Sequence, residues 1–172
     1  MLTKKQFISK LNESKIKYEL TEHDPLFTVK DSVEKRGTIN GSHSKNLFLK
    51  NKKNEFFLIS CEENDNVDLK KLSKQLSIGN VSFAKEEYLF SLLGIKPGSV
   101  SPFALMNDTQ NAISFFLEKK LYYSKFLNFH PLVNTLTITI ETTEFIKFMI
   151  ENNKKIHIFC LTDGAIINTH GE

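Results

Sequence analysis

Asn46-Leu47-Phe48-Leu49-Lys50-Asn51, then Lys52-Lys53-Asn54, then Glu55-Phe56-Phe57-Leu58-Ile59-Ser60-Cys61: two apolar runs joined by a short polar stretch. This pattern reads as a β-hairpin, since runs of strand length rich in aromatic and branched residues flank a turn-forming segment. Outward from the hairpin, helical and strand periodicities are mixed. On the N-terminal side, Thr3 and Gln6 make a capping box, with Leu2 and Phe7 as its hydrophobic staple. Phe7, Ile8 and Leu11 then fall on one helical face. Lys17 to Glu22 alternates as a short strand with Tyr18 and Leu20 pointing one way, and a loop around His23-Asp24-Pro25 follows.

Beyond the hairpin, Leu69, Leu72 and Leu76 predict a helix over Asp68 to Leu76. Leu89, Leu92 and Leu93 predict another over Glu86 to Leu93, ended by Gly94 in a left-handed cap, with a turn at Pro97-Gly98. Ala112 to Leu117, Thr135 to Glu141 and Ile156 to Leu161 read as strands. Phe145, Phe148 and Met149 form the inner face of a helix starting near Thr142 or Thr143. Gly164 to Glu172 reads as a loosely attached end. Strands interspersed with helices, plus a hairpin, predict an α/β (α+β) domain with a mixed β-sheet and helices on its faces, spanning 1–172 as one unit.

Composition fits that domain: 40% hydrophobic and 25% charged residues describe a globular chain, and 15 Phe with no Trp put most aromatic volume into groups with no polar atom to satisfy. No apolar run approaches the roughly 18 to 20 residues that span a bilayer, and no signal peptide is legible, so a cytoplasmic protein without a membrane partner is expected. Cys61 and Cys160 sit in apolar runs without a Cys-x-x-Cys or Cys/His cluster, which reads as buried thiols and gives no metal site or cofactor. A charge of +3 is too small to declare a nucleic-acid partner. Lys45, Lys50, Lys52 and Lys53, with Lys70, Lys71 and Lys74, are either ordinary solvated side chains or a basic rim for a nucleic acid.

Common catalytic signatures are missing: there is no Gly-x-Ser-x-Gly elbow, His-Glu-x-x-His or Gly-rich phosphate loop. Three ordered segments stand out instead: Lys45-Asn46-Leu47-Phe48-Leu49, Pro97-Gly98-Ser99-Val100-Ser101-Pro102-Phe103 and Phe129-His130-Pro131-Leu132-Val133-Asn134-Thr135. Ser82-Phe83-Ala84 and Leu105-Met106-Asn107-Asp108 join them. A lysine just before a strand puts a mobile point charge at a sheet edge, where it can hold a phosphate, or it is one more surface lysine. Asn46 offers a donor and an acceptor, or satisfies its own strand. Gly98 lets backbone approach a ligand while Pro102 fixes the loop's far end, or the segment is a surface turn. His130 can bond a substrate amine or carbonyl, orient water, or simply pack.

In order and spacing these segments resemble the YbaK/ProRS-associated family of aminoacyl-tRNA editing domains, from about His23 to Gly164, and look most like its freestanding branch acting on Ala-tRNA(Pro). The resemblance implies a three-layer α/β fold and hydrolysis of the alanyl ester, assisted by the ribose hydroxyl of the terminal adenosine. It implies a site built on Lys45, Gly98, Pro102 and His130. Asn46, Ser99, Val100, Ser101, Lys50, His23, Thr28 and Val29 would bind substrate. The partner it implies is the tRNA(Pro) acceptor end, with docking to prolyl-tRNA synthetase left open. Where the family commonly has Pro-Phe-Gly-Leu, this chain has Pro102-Phe103-Ala104-Leu105, so an altered loop exit is expected. Asn134-Thr135 reads as pinning its loop. Two alternatives stand beside this reading: hydrolysis of Cys-tRNA(Pro), as in the YbaK branch, and a noncatalytic tRNA-end-binding module of the same fold.

Overall fold

A computed structural model of the chain describes residues 1–26 and 38–171. Helix α1 (Lys4–Glu13) starts at the expected capping box: Gln6 N–H donates to Thr3 Oγ1, and the Gln6 side chain reaches back to the Thr3 backbone. Strand β1 (Tyr18–Glu22) follows, then β2 (Ser42–Asn51) and β3 (Phe56–Glu62), which pair antiparallel from Ser44↔Glu62 to Lys50↔Phe56. This is the predicted hairpin, begun four positions earlier than the apolar run indicates. Asn51 fixes its turn, its Oδ1 accepting from the N–H groups of Lys53 and Glu55. Asn54 takes the positive φ of 64° that the turn requires, a conformation asparagine tolerates.

Helix α2 (Leu69–Gln75) is capped by Asp68, whose carboxylate accepts from the N–H groups of Lys70 and Lys71. Strand β4 (Val81–Phe83) precedes helix α3 (Glu86–Tyr88), which widens into a π-helical turn over Leu89–Leu93 and ends at Gly94 in the left-handed region. A 3-10 helix over Pro102–Asn107 leads through a turn into β5 (Ile113–Glu118) and helix α4 (Lys119–Tyr123). Strands β6 (Phe126–Phe129) and β7 (Leu136–Glu141), helix α5 (Thr142–Glu151), and strands β8 (Ile156–Phe159) and β9 (Ile166–His170) complete the chain.

The strands form one mixed sheet in the order β1-β7-β6-β2-β3-β5-β8-β9, with β4 pairing to β2 off this path. Pairs β2/β6, β3/β5 and β5/β8 are parallel, as expected where helices connect neighbouring strands. The larger core joins Phe48, Leu58, Phe115 and Leu117 on one sheet face to Phe7, Leu11, Phe103, Phe145, Phe148 and Met149 from the covering helices. A smaller core joins Leu49, Phe57, Ile59, Phe116 and Phe159 on the other face to Leu72 of α2. Helices on both faces give the three layers.

One expectation needs correction. Gly164 to Glu172 is no loose end, because Ile166–His170 pairs antiparallel with β8. Tyr18 and Leu20 share one face of β1, where Leu20 is 45% exposed; among the described residues β1 pairs only with β7. Among the described residues, no helix is long and apolar enough to cross a membrane.

Candidate active site

The site begins with a break in the pairing of β2. Along the edge opposite β3, Ser42 and His43 pair with Leu127 and Asn128 of β6, whereas Leu49 to Asn51 pair with β4. Between them, Ser44 to Phe48 have no strand neighbour on that side among the described residues. In this gap lies a small cavity of about 30 Å³ lined by His43, Ser44, Asn46, Asn128, Phe129, His130 and Thr137. Ser44 Oγ spans the split by donating to Asn128 O at 3.2 Å.

Alternation along β2 separates the first two expected residues. Lys45 stands opposite Cys61 in the register and Asn46 opposite Ser60, so their side chains leave opposite sheet faces. Lys45 Nζ donates to the backbone carbonyl of Asp65. Asn46 Oδ1 accepts from Ser60 Oγ at 2.6 Å, and its Nδ2 donates to Ser44 Oγ at 3.4 Å. Asn46 is thereby held against the cavity by two hydroxyls.

His130 follows β6 directly. Its Nδ1 lies 2.8 Å from Leu136 O, and a carbonyl only accepts, so Nδ1 carries the proton and the lone pair of the neutral ring is on Nε2. Burial holds the imidazole below its ordinary value; the bond to Leu136 O opposes that shift and nearby His23 adds to it. The His23 ring centroid lies 5.9 Å from that of His130. His23 Nδ1 donates to Asp24 O at 2.9 Å, and its Nε2 meets Thr137 Oγ1 at 2.8 Å. Asn128 completes the polar surface: its Oδ1 accepts from Thr139 Oγ1 at 2.6 Å and its Nδ2 donates to Asn40 O at 2.8 Å.

The Gly98–Pro102 loop is not part of the cavity's lining and is connected to it through neighbouring residues. Gly98 has a φ of 83°, the left-handed conformation that favours glycine. Ser99 N–H donates to Lys96 O, and Ser101 Oγ accepts from Phe103 N–H, capping the 3-10 helix. Phe103 is fully buried and packs edge-on to Phe129, a cavity wall, at 5.7 Å. Pro97 and Ser99 share a second pocket with Leu132, Val133 and Asn134, the loop following His130. Ala104 is buried inside the 3-10 helix, where no positive φ is needed, so the alanine leaves the loop exit regular.

Lys50 stands about 17 Å along the strand from Lys45. Its ammonium lies over the Tyr88 ring, 5.4 Å from the centroid. Lys52 and Lys53 are at the hairpin tip, farther still, while Lys70 and Lys71 are exposed on α2. Thr28 and Val29 lie outside the described residues. Asn134 pins its loop as expected, exchanging bonds with Leu26 through its side chain and its backbone carbonyl. The Asn107-Asp108 pair is also structural. Asn107 holds Leu2 N and Leu93 O, while the Asp108 carboxylate accepts from Ala112 N and Ile113 N.

Sequence reasoning missed His43, Asn128, Thr137 and Thr139. In Leu136-Thr137-Ile138-Thr139-Ile140 the threonines read as the solvent side of an alternating strand. Both are only 5% exposed, as Asn128 is at 4%. Buried polar side chains mark a built polar site, but burial itself is not visible in the alternation.

Such a polar cleft in an otherwise apolar α/β sheet suits a small acyl group whose carbonyl and amine need fixed partners. A family model described as the aminoacyl-tRNA editing domain matches residues 23–148, and the chain belongs to that family. It is an aminoacyl-tRNA deacylase, a hydrolase of translational editing. Among its relatives, prolyl-tRNA editing protein ProX of Acetoanaerobium sticklandii is 32% identical over 154 residues, covering 88% of this chain and 93% of that protein. Prolyl-tRNA synthetase associated domain-containing protein 1 of Danio rerio is 30% identical over 148 residues, covering 85% and 79%. The solved structure of a candidate trans-editing enzyme for prolyl tRNA synthetase shares the fold, with a TM-score of 0.63, 14% identity, and coverage of 91% of this chain and 96% of that one.

Proposed function

We propose that the protein removes alanine from mischarged Ala-tRNA(Pro) and spares Pro-tRNA(Pro). The observation that carries this reading is the size of the cavity between β2 and β6. About 30 Å³ suits a methyl group or a water molecule and is too small for a pyrrolidine ring without displacing Asn46, Asn128 or Phe129. Such a site supplies what a synthetic site for proline lacks. Missing methylenes cost only about 1–3 kcal/mol, so alanine escapes rejection there, whereas overfilling a rigid pocket excludes proline here.

In the reaction, water adds to the ester carbonyl carbon, and the tetrahedral intermediate expels the ribose oxygen, which takes up a proton. Alanine and free tRNA result. The ester is already activated, so orientation and charge stabilisation can carry the rate. In our reading the Lys45 ammonium holds a phosphate of the terminal nucleotide. His130 Nε2, with its lone pair intact at neutral pH, accepts from the substrate amine or the attacking water, which the terminal ribose hydroxyl helps to place. Asn46 bonds the aminoacyl group. Gly98 and Pro102 keep the loop backbone close to the carbonyl; with Ser99 N–H already donated to Lys96 O, the neighbouring N–H groups take that role. The site serves the tRNA(Pro) acceptor end, presented freely or by prolyl-tRNA synthetase.

The test is single-turnover hydrolysis of Ala-, Cys- and Pro-tRNA(Pro) by wild type and Lys45→Ala. Loss of alanine alone, slowed at least tenfold by the substitution, is the expected result. Preferential loss of cysteine would move the protein to the YbaK type of activity, and no hydrolysis of any ester would leave a tRNA-end-binding module.

A further inference from the structure

We propose that Asp65 and Lys120 form a positioning pair that fixes the ammonium of Lys45. This rests on the reading above, in which Lys45 grips the nucleotide. Asp65 lies where the chain turns after β3: Asp65 N–H donates to Glu62 O, and Glu63 N–H donates to His43 O at the start of β2. Its oxygens are divided between two lysines. The backbone carbonyl accepts from Lys45 Nζ, Oδ1 accepts from Lys120 Nζ at 2.5 Å, and Oδ2 is buried without a hydrogen-bond partner among the described residues. Lys120 arrives from α4, whose first turn is fixed by Glu118: that carboxylate, 1% exposed, accepts from Lys120 N–H at 2.6 Å.

A lysine at a strand edge has four rotatable bonds, and a carbonyl acceptor restricts them only if the carbonyl itself is fixed. Asp65 is on a loop, and Lys120 ties that loop to a helix anchored elsewhere in the sheet. The Lys120 side chain is 51% exposed, and ion pairs of that kind contribute little to stability. Its removal should therefore act on where Lys45 sits and hardly at all on folding.

The experiment compares wild type, Lys120→Ala, Lys120→Arg, Lys45→Ala and the Lys45→Ala/Lys120→Ala pair. It follows single-turnover Ala-tRNA(Pro) hydrolysis, binding of uncharged tRNA(Pro) and urea unfolding. Loss of Lys120 should slow hydrolysis ~10-fold with an unchanged unfolding midpoint, and arginine should restore most of the rate. In the Lys45→Ala background, removing Lys120 should cost nothing further. The binding measurement gives the same comparison if Lys45→Ala has no measurable rate. An unchanged rate in Lys120→Ala, or equal losses in both backgrounds, would overturn the positioning role while Lys45→Ala still shows its own defect. Full activity in Lys45→Ala would instead overturn the reading of the site, and the pair with it.

Discussion

Replacing His130 by asparagine separates the two nitrogens of the ring. The asparagine amide can occupy the place of Nδ1 and still donate to Leu136 O, which the histidine does at 2.8 Å, but it has nothing at the position of Nε2. The fold should survive, and the acceptor offered to the substrate amine or water should be lost. A hydrogen bond to a charged partner is worth about 1.5–3 kcal/mol, which predicts a fall of roughly 10- to 150-fold in single-turnover hydrolysis of Ala-tRNA(Pro). The pH profile gives a second, independent signature. Burial sets the folded pKa of His130 below 6.5, so the wild-type rate should hold as pH falls through 6.5 and drop only near the lower folded value. Within that window the unfolded chain binds a proton that the folded one does not. Stability contributed by the neutral ring is thus fully present above 6.5 and declines as pH falls towards the folded value. The asparagine variant should lack both the acidic limb and this decline. A variant within threefold of wild type, with the acidic limb unchanged, would refute a role for Nε2.

Phe103→Ala should destabilise the protein by about 3–5 kcal/mol in urea melts, since the ring is fully buried against Phe7, Phe129, Phe145 and Phe148; a loss below about 1 kcal/mol would contradict its place as the loop's anchor. Gly41→Ala should cost about 1–3 kcal/mol, because a Cβ there would stand 2.8 Å from the Phe126 backbone oxygen at a φ of +94°; equal thermal midpoints would show that the start of β2 can shift without penalty. Cys61 should resist alkylation in the folded protein at pH 8 and react on unfolding, because burial pushes its thiol up to about 12; peptide mass spectrometry showing rapid native labelling would contradict this.

The hairpin, the capping box at Thr3 and the Gly94 cap were legible because each depends on neighbours within a few residues. The Ile166–His170 strand was not, since its identity as a strand depends on pairing with β8. Helix α4 buries only Leu121 and takes its start from the Glu118 side chain, so Lys119-Lys120-Leu121-Tyr122-Tyr123 carries no periodic signal. The same distinction runs through the site. Lys45, Gly98 and His130 are visible as motif residues, yet the cavity depends on β2 leaving β6 after His43, a long-range event that brings Asn128 and Thr137 beside Asn46 and His130. A strand that pairs with two different neighbours at its two ends leaves backbone and side chains exposed between them without unfolding either half. That opening lets an otherwise apolar sheet hold a polar cavity in its interior. Most of the walls come from strands paired on their far sides, and the Asn46 and Asn128 side chains among them are held by hydrogen bonds to Ser44, Ser60, Asn40 and Thr139, so enlarging the cavity would break those bonds and not merely turn a free side chain. This rigidity is the physical basis for expecting discrimination by size.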